Sequence, residues 1–129
     1  MNRTNNNFIG ASALLIGFSI VLGAFGAHIL NPGLEEKYIR TLATANQYFI
    51  INSIGLLLIS TLDISVRNTR LAYLIITLGV ICFSGSLYGI VLCKYFDHAV
   101  PFILGPITPI GGLLLIFGWV TLAFTYFRK

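Results

Sequence analysis

Charge is what this sequence has least of. Only 9% of its 129 residues are Asp, Glu, Lys or Arg, and just four of them are acidic. Soluble domains carry about 25% charged residues, so too little charge exists here to coat a water-exposed globule. Disorder is excluded too, because it requires low hydrophobicity and high charge, whereas 57% of this chain is hydrophobic.

Histidine and cysteine are equally scarce, at two each. A metal site wants several His, Cys or carboxylate ligands close together. His28 lies at the end of an apolar run and His98 beside Asp97 in a connection, where it reads as solvated. A haem with two His ligands therefore lacks a second histidine at membrane depth. Cys82 and Cys93 are eleven residues apart, about 16 Å along one helix. That is beyond disulfide reach, and they read as small apolar fillers. No Asp or Glu interrupts an apolar run, which weakens proton-coupled transport. Serine hydrolysis lacks its orienting acid, and FSGSLY is not the strand–turn–helix setting of a nucleophile elbow. No enzyme activity and no cofactor are expected.

What the chain has is long apolar runs, with a mean hydropathy of +0.89. A helix needs about 20 mostly apolar residues to cross a hydrocarbon core of roughly 30 Å. Four stretches qualify, at about 8–30, 42–62, 71–92 and 102–127, and Glu35, Glu36, Asp63 and Asp97 all fall between them. ALLIGFSIVLGAF and LAYLIITLGVICF do not alternate as membrane strands would. The first run is too long for the h-region of a signal peptide, so it is expected to stay as a span. The fold class is all-α: an antiparallel four-helix transmembrane bundle in one domain, residues 1–129.

Lys and Arg orient membrane helices. Arg3, Arg67, Arg70, Arg128 and Lys129 share one side, and Lys37, Arg40 and Lys94 the other. Five against three predicts both termini on the cytoplasmic side of a bacterial inner membrane. The basic balance (+4) reflects this orientation and contact with anionic lipid. Without a basic patch interleaved with aromatics, nucleic acid is not an expected partner.

Helix boundaries follow from local signals. Asn31-Pro32-Gly33 marks a turn, and the second helix is expected from about 34 to 62. The third is expected over 71–92. In PFILGPITPIGG, Thr108 suits an N-cap and Pro109 the first helical position. The fourth helix is therefore expected at 107–127, with 101–107 apolar but non-helical. Small residues recur at Ser19/Gly23/Ala27, Gly85/Gly89 and Thr108/Gly112, a spacing that brings helices close in lipid and would also permit an oligomer.

The polar residues of the runs are unevenly spread. His28, Asn46, Gln47, Asn52, Ser84, Ser86, Tyr88 and Thr108 fall in the outer half, leaving the inner half almost purely apolar apart from Ser60 and Thr77. Three readings are open. The residues glue helices together; or His28, Gln47, Asn52, Ser84, Ser86, Tyr88 and Thr108 line a polar pocket, with the fourth helix's N-terminus suited to an anion; or they are catalytic.

Four motifs occur in order: LGAFGAH (22–28), FSGSLY (83–88), TPIGG (108–112) and Gly118-Trp119. In them the chain resembles the YgdD/YwdK-like family, small four-helix bacterial inner-membrane proteins of unknown function, over nearly its whole length. The resemblance implies four spans and no established reaction. One departure stands out. Where the family typically carries a Tyr-Gln pair and a following His, the ungapped match puts Tyr48, Phe49 and Asn52. Metal or proton work by paired histidines is therefore disfavoured, while hydrogen bonding by Asn52 survives. The expected role is non-catalytic, through membrane lipids, a homo-oligomer or another membrane protein. The alternative is a small oligomeric channel or carrier using the outer pocket.

Overall fold

The computed structural model describes residues 3–62 and 67–128. Four helices follow in order: α1 (Arg3–Phe25), α2 (Glu36–Ser60), α3 (Arg67–Tyr95) and α4 (Leu104–Phe127). All four are long and apolar enough to cross a membrane. The segment 63–66, within the predicted connection between the second and third helices, lies outside the described residues.

α2 and α3 form the centre and bury the larger share of their residues; α1 and α4 bury much less. α1 packs on α2 and α4 on α3. α1 also reaches α3 through Phe8 against Tyr73, and α4 reaches α2 through Trp119 against Gly55. The main core joins Phe49, Leu56 and Ile59 of α2, Tyr73, Ile76 and Val80 of α3, and Leu115 of α4. A smaller cluster of Leu30, Leu42 and Val91 closes the other end. Exposed side chains on the outer helices, such as Leu14, Phe18, Ile116 and Phe117, are large and apolar, as lipid requires.

The closest approach is α3 against α4, and glycine makes it possible. A Cβ on Gly111 would strike the Phe83 backbone, and one on Gly118 would strike Ile76. At Gly79 it would lie 2.9 Å from the Leu115 backbone nitrogen. Most of the small-residue positions singled out in the sequence are used inside the bundle. Ser19 is fully buried, Gly23 faces Asn46, Gly89 faces Leu104 and Gly112 touches Phe83, whereas Ala27 is exposed and Gly85 has open space beside it.

The helix ends differ from expectation in instructive ways. α1 does not run evenly to residue 30: Gly26–Leu30 is a π-helical turn, followed by a 3-10 turn at Asn31–Gly33. α2 starts at Glu36 because Leu34 and Glu35 are extended (ψ 147° and 151°). α3 exceeds the apolar run at both ends. Its C-terminus closes with Asp97 at φ 56°, where Asp97 N–H donates to the Lys94 carbonyl and His98 N–H to that of Cys93. This is the paired bonding of a Schellman cap.

The largest correction concerns α4. It begins at Leu104, not near Pro109, and Thr108 is an interior residue, not an N-cap. Residues 104–107 are helical. Pro106 occupies the third helical position, where the N–H has no intrahelical acceptor anyway. Pro109 does sit inside the helix and removes a bond to Gly105. Membrane helices tolerate such a proline, and Gly105, whose carbonyl it leaves, is exposed.

Candidate functional site

The polar residues expected to converge are distributed over several helix junctions. At the α2–α4 junction, Trp119 Nε1 donates to Asn52 Oδ1 at 2.9 Å. Asn52 Nδ2 in turn donates to the Tyr48 carbonyl at 2.8 Å. Gly55 makes room for the indole, since a Cβ there would lie 2.6 Å from the ring. An indole N–H in an apolar span requires an acceptor, and Asn52 supplies it.

At the α2–α3 junction the Tyr88 hydroxyl donates to Asn46 Oδ1 at 2.9 Å. Asn46 fits because α1 offers Gly23: a Cβ at that position would stand 2.7 Å from the amide nitrogen. The bond therefore locks three helices. At the α3–α4 junction Ser86 Oγ and Thr108 Oγ1 are 2.6 Å apart, so one donates to the other while the acceptor's own proton is free for a carbonyl of its helix.

The other three residues stand apart. Ser84 is buried and its Oγ has no hydrogen-bond partner; it borders an apolar cavity of about 150 Å³ with Phe18, Phe49 and Tyr88 among its walls. His28, on the π-helical turn, and Gln47, on α2, are exposed on the outside of the bundle. The structure thus joins Ser86 to Thr108, but does not gather the seven residues around one pocket.

Two partners were not among the expected site residues: Trp119 for Asn52, and Asn46 for Tyr88. The Trp119 signal was present, because an indole in an apolar run must find an acceptor. The other half of the bundle is also less purely apolar than its composition suggested. Ser12 Oγ and Tyr73 Oη are 2.8 Å apart, both in reach of the Phe8 carbonyl, and Thr69 Oγ1 pairs with Tyr126 Oη at 3.3 Å. Tyrosine hydroxyls at that depth were the overlooked sign.

These junctions coincide with the four sequence motifs, and comparison with known proteins gives that pattern a family. A family described as "Protein of unknown function (DUF423)" matches residues 22–112. The chain belongs to this family of membrane proteins. A UPF0382 membrane protein of Staphylococcus haemolyticus is 39% identical, covering 94% of this chain and 95% of its own length. A UPF0382 membrane protein of Schizosaccharomyces pombe is 34% identical over 81% of this chain and 87% of its own. YwdK of Bacillus subtilis, also a UPF0382 membrane protein, is 32% identical over 88% and 89%. No solved structure matches. The DUF423 match runs from the first residue of LGAFGAH to the last of TPIGG. In this DUF423 protein those two motifs contribute Gly23 and Gly26 to the α1–α2 contact, and Thr108 and Gly111 to the α3–α4 contact.

Proposed function

We propose that this DUF423 protein is a non-catalytic component of the bacterial cytoplasmic membrane that acts through its outer surface, on other membrane proteins and on lipid. The observation that carries this reading is Gln47. Its neighbour Tyr48 packs on Phe83, about 20 Å along α3 from Arg70. A hydrocarbon core of about 30 Å starting at Arg70 encloses that level. Gln47 is nevertheless exposed, in a face that continues through exposed Ile51, Ile54 and Leu58. An amide without partners in an apolar medium costs roughly 2–7 kcal/mol, and polar side chains at this depth normally face protein. A second copy or another membrane protein would satisfy it. The interior supports the same reading, since Asn46, Asn52, Ser86, Tyr88 and Thr108 already bond across helices.

The test is photo-cross-linking in native membranes from a reactive residue at Ile51, one turn from Gln47. A discrete protein adduct is expected, and Gln47→Leu should abolish it while leaving thermal stability in detergent unchanged. No adduct, or one indifferent to Gln47→Leu, sinks the reading. Solute-dependent flux through the purified protein in liposomes would favour a channel or carrier instead.

A further inference from the structure

A wide cavity lies between the N-terminal halves of α1 and α3. It is a groove of about 600 Å³, with Asn7, Ala11, Leu14 and Phe18 on one wall and Leu74 and Thr77 on the other. Two of its polar wall groups, Tyr73 and Thr77, are already occupied. Tyr73 Oη bonds Ser12 Oγ and the Phe8 carbonyl, and Thr77 Oγ1 donates to the Tyr73 carbonyl at 2.8 Å. The guest must therefore be apolar along the groove. From Asn7 to Phe18 the groove runs about 16 Å, close to the roughly 15 Å depth of one leaflet's hydrocarbon. That suits one acyl chain.

The mouth has a different character. Arg70, Leu74 and Thr77 recur at the spacing of one helix face, so Arg70 continues the α3 wall past the end of the groove. Arg70 is exposed, and among the described residues the one ion pair is Arg40–Glu36, far away at the start of α2. Helical side chains lean toward the N-terminus, and a long arginine snorkels that way to the headgroup level. Its guanidinium there presents the planar fork that matches phosphate. Asn7 stands on the opposite wall at the same end.

We infer that the α1–α3 groove is a lipid site that holds one acyl chain of an anionic phospholipid, with Arg70 on the phosphate. The site goes beyond the contact role proposed above and does not depend on Gln47. Charge selects this occupant over a second copy of the chain. Arg67, Arg70 and Arg128 make this end of the described molecule basic, so two copies meeting at this mouth would bring arginine against arginine, whereas an anionic headgroup complements it.

The test uses the full chain, purified and delipidated in detergent, with phosphatidylglycerol and phosphatidylcholine of identical acyl chains as probes. Native mass spectrometry counts bound lipid and thermal unfolding gives the shift. One phosphatidylglycerol should bind roughly five- to tenfold tighter than phosphatidylcholine, the size of one charge-assisted contact. Arg70→Gln should erase that preference, whereas Arg128→Gln, an equal loss of charge at the same end, should leave it. Ala11→Phe, which fills the groove from an exposed position, should remove binding of both lipids. Equal binding of the two lipids by wild type overturns the proposal. So does an Arg128→Gln variant that behaves like Arg70→Gln, or a protein dimer that Ala11→Phe dissociates. If Ala11→Phe fails to fold, the contrast between Arg70 and Arg128 decides the matter.

Discussion

A polar side chain in a membrane bundle is worth what its partner makes it worth, and Asn52 and Ser84 are opposite cases. Replacing Asn52 with Leu leaves the Trp119 N–H without its acceptor, which costs about 1–3 kcal/mol. Trp119→Phe leaves Asn52 Oδ1 similarly bare. The double variant should be less destabilised than the sum, with a coupling near 0.6 and at most about 1.7 kcal/mol, read by thermal or denaturant unfolding in detergent. A coupling of zero would remove Asn52–Trp119 from the list of helix locks. Ser84 has no partner to lose. Ser84→Ala should leave stability unchanged or raise it by up to about 1 kcal/mol, measured in the same assay; a clear loss would mean the hydroxyl is bonded in the membrane. At this scale the residue types were legible and the pairings were not. The sequence places Asn52 and Trp119 sixty-seven positions apart, and only the crossing of α4 over α2 brings them together. Hydropathy did place Gln47 within an apolar run; that it faces outward is visible only once α2 is docked.

The elements themselves were legible because apolar length alone demands them. Their ends were not, since these depend on local bonding that competes with composition. α3 extends to Tyr95 because a Schellman cap closes it beyond the apolar run, and α4 extends back to Leu104 despite two prolines. Prolines argued for a late start to α4; a tertiary contact outweighed them, because the earlier start makes Thr108 an interior residue that meets Ser86. The small-residue spacing points to close contact, which Gly23 and Gly89 make and Gly85 does not. Which neighbouring glycine bears the load required the structure. A Cβ at Gly111 would meet backbone, which cannot move aside, whereas at Gly112 it would meet only the Phe83 ring at 3.7 Å. Gly111→Ala should therefore part α3 from α4 and lower stability by at least 1–3 kcal/mol, the usual cost of overpacking. Gly112→Ala should be neutral, or favourable by up to about 1 kcal/mol through helix propensity. Equal effects of the two in a detergent unfolding series would contradict the packing described for α3 and α4.

For the molecule as a whole, the four-span count puts both termini on one side but does not say which. Apart from Arg3 and Lys129 the basic residues divide evenly: Arg67, Arg70 and Arg128 at the end where α1 begins, Lys37, Arg40 and Lys94 at the other. The imbalance comes from Arg3 and Lys129, which bring the count to five against three. The positive-inside rule then predicts the termini in the cytoplasm, with a margin of only two charges. A fluorescent protein fused to the C-terminus should accordingly mature and fluoresce in cells, and alkaline phosphatase fused there should stay inactive. Phosphatase inserted between α3 and α4, after His98, should be active. The small margin makes a sharper expectation available. Arg67→Gln with Arg70→Gln leaves three positive charges on each side. If loop charge sets the orientation, this double variant should insert in both directions, with both C-terminal reporters partly active in one population. A unique orientation that survives the double substitution would mean that something other than Lys and Arg directs insertion. In that case the basic end around Arg70 would be maintained for what it binds, which ties topology back to the groove between α1 and α3.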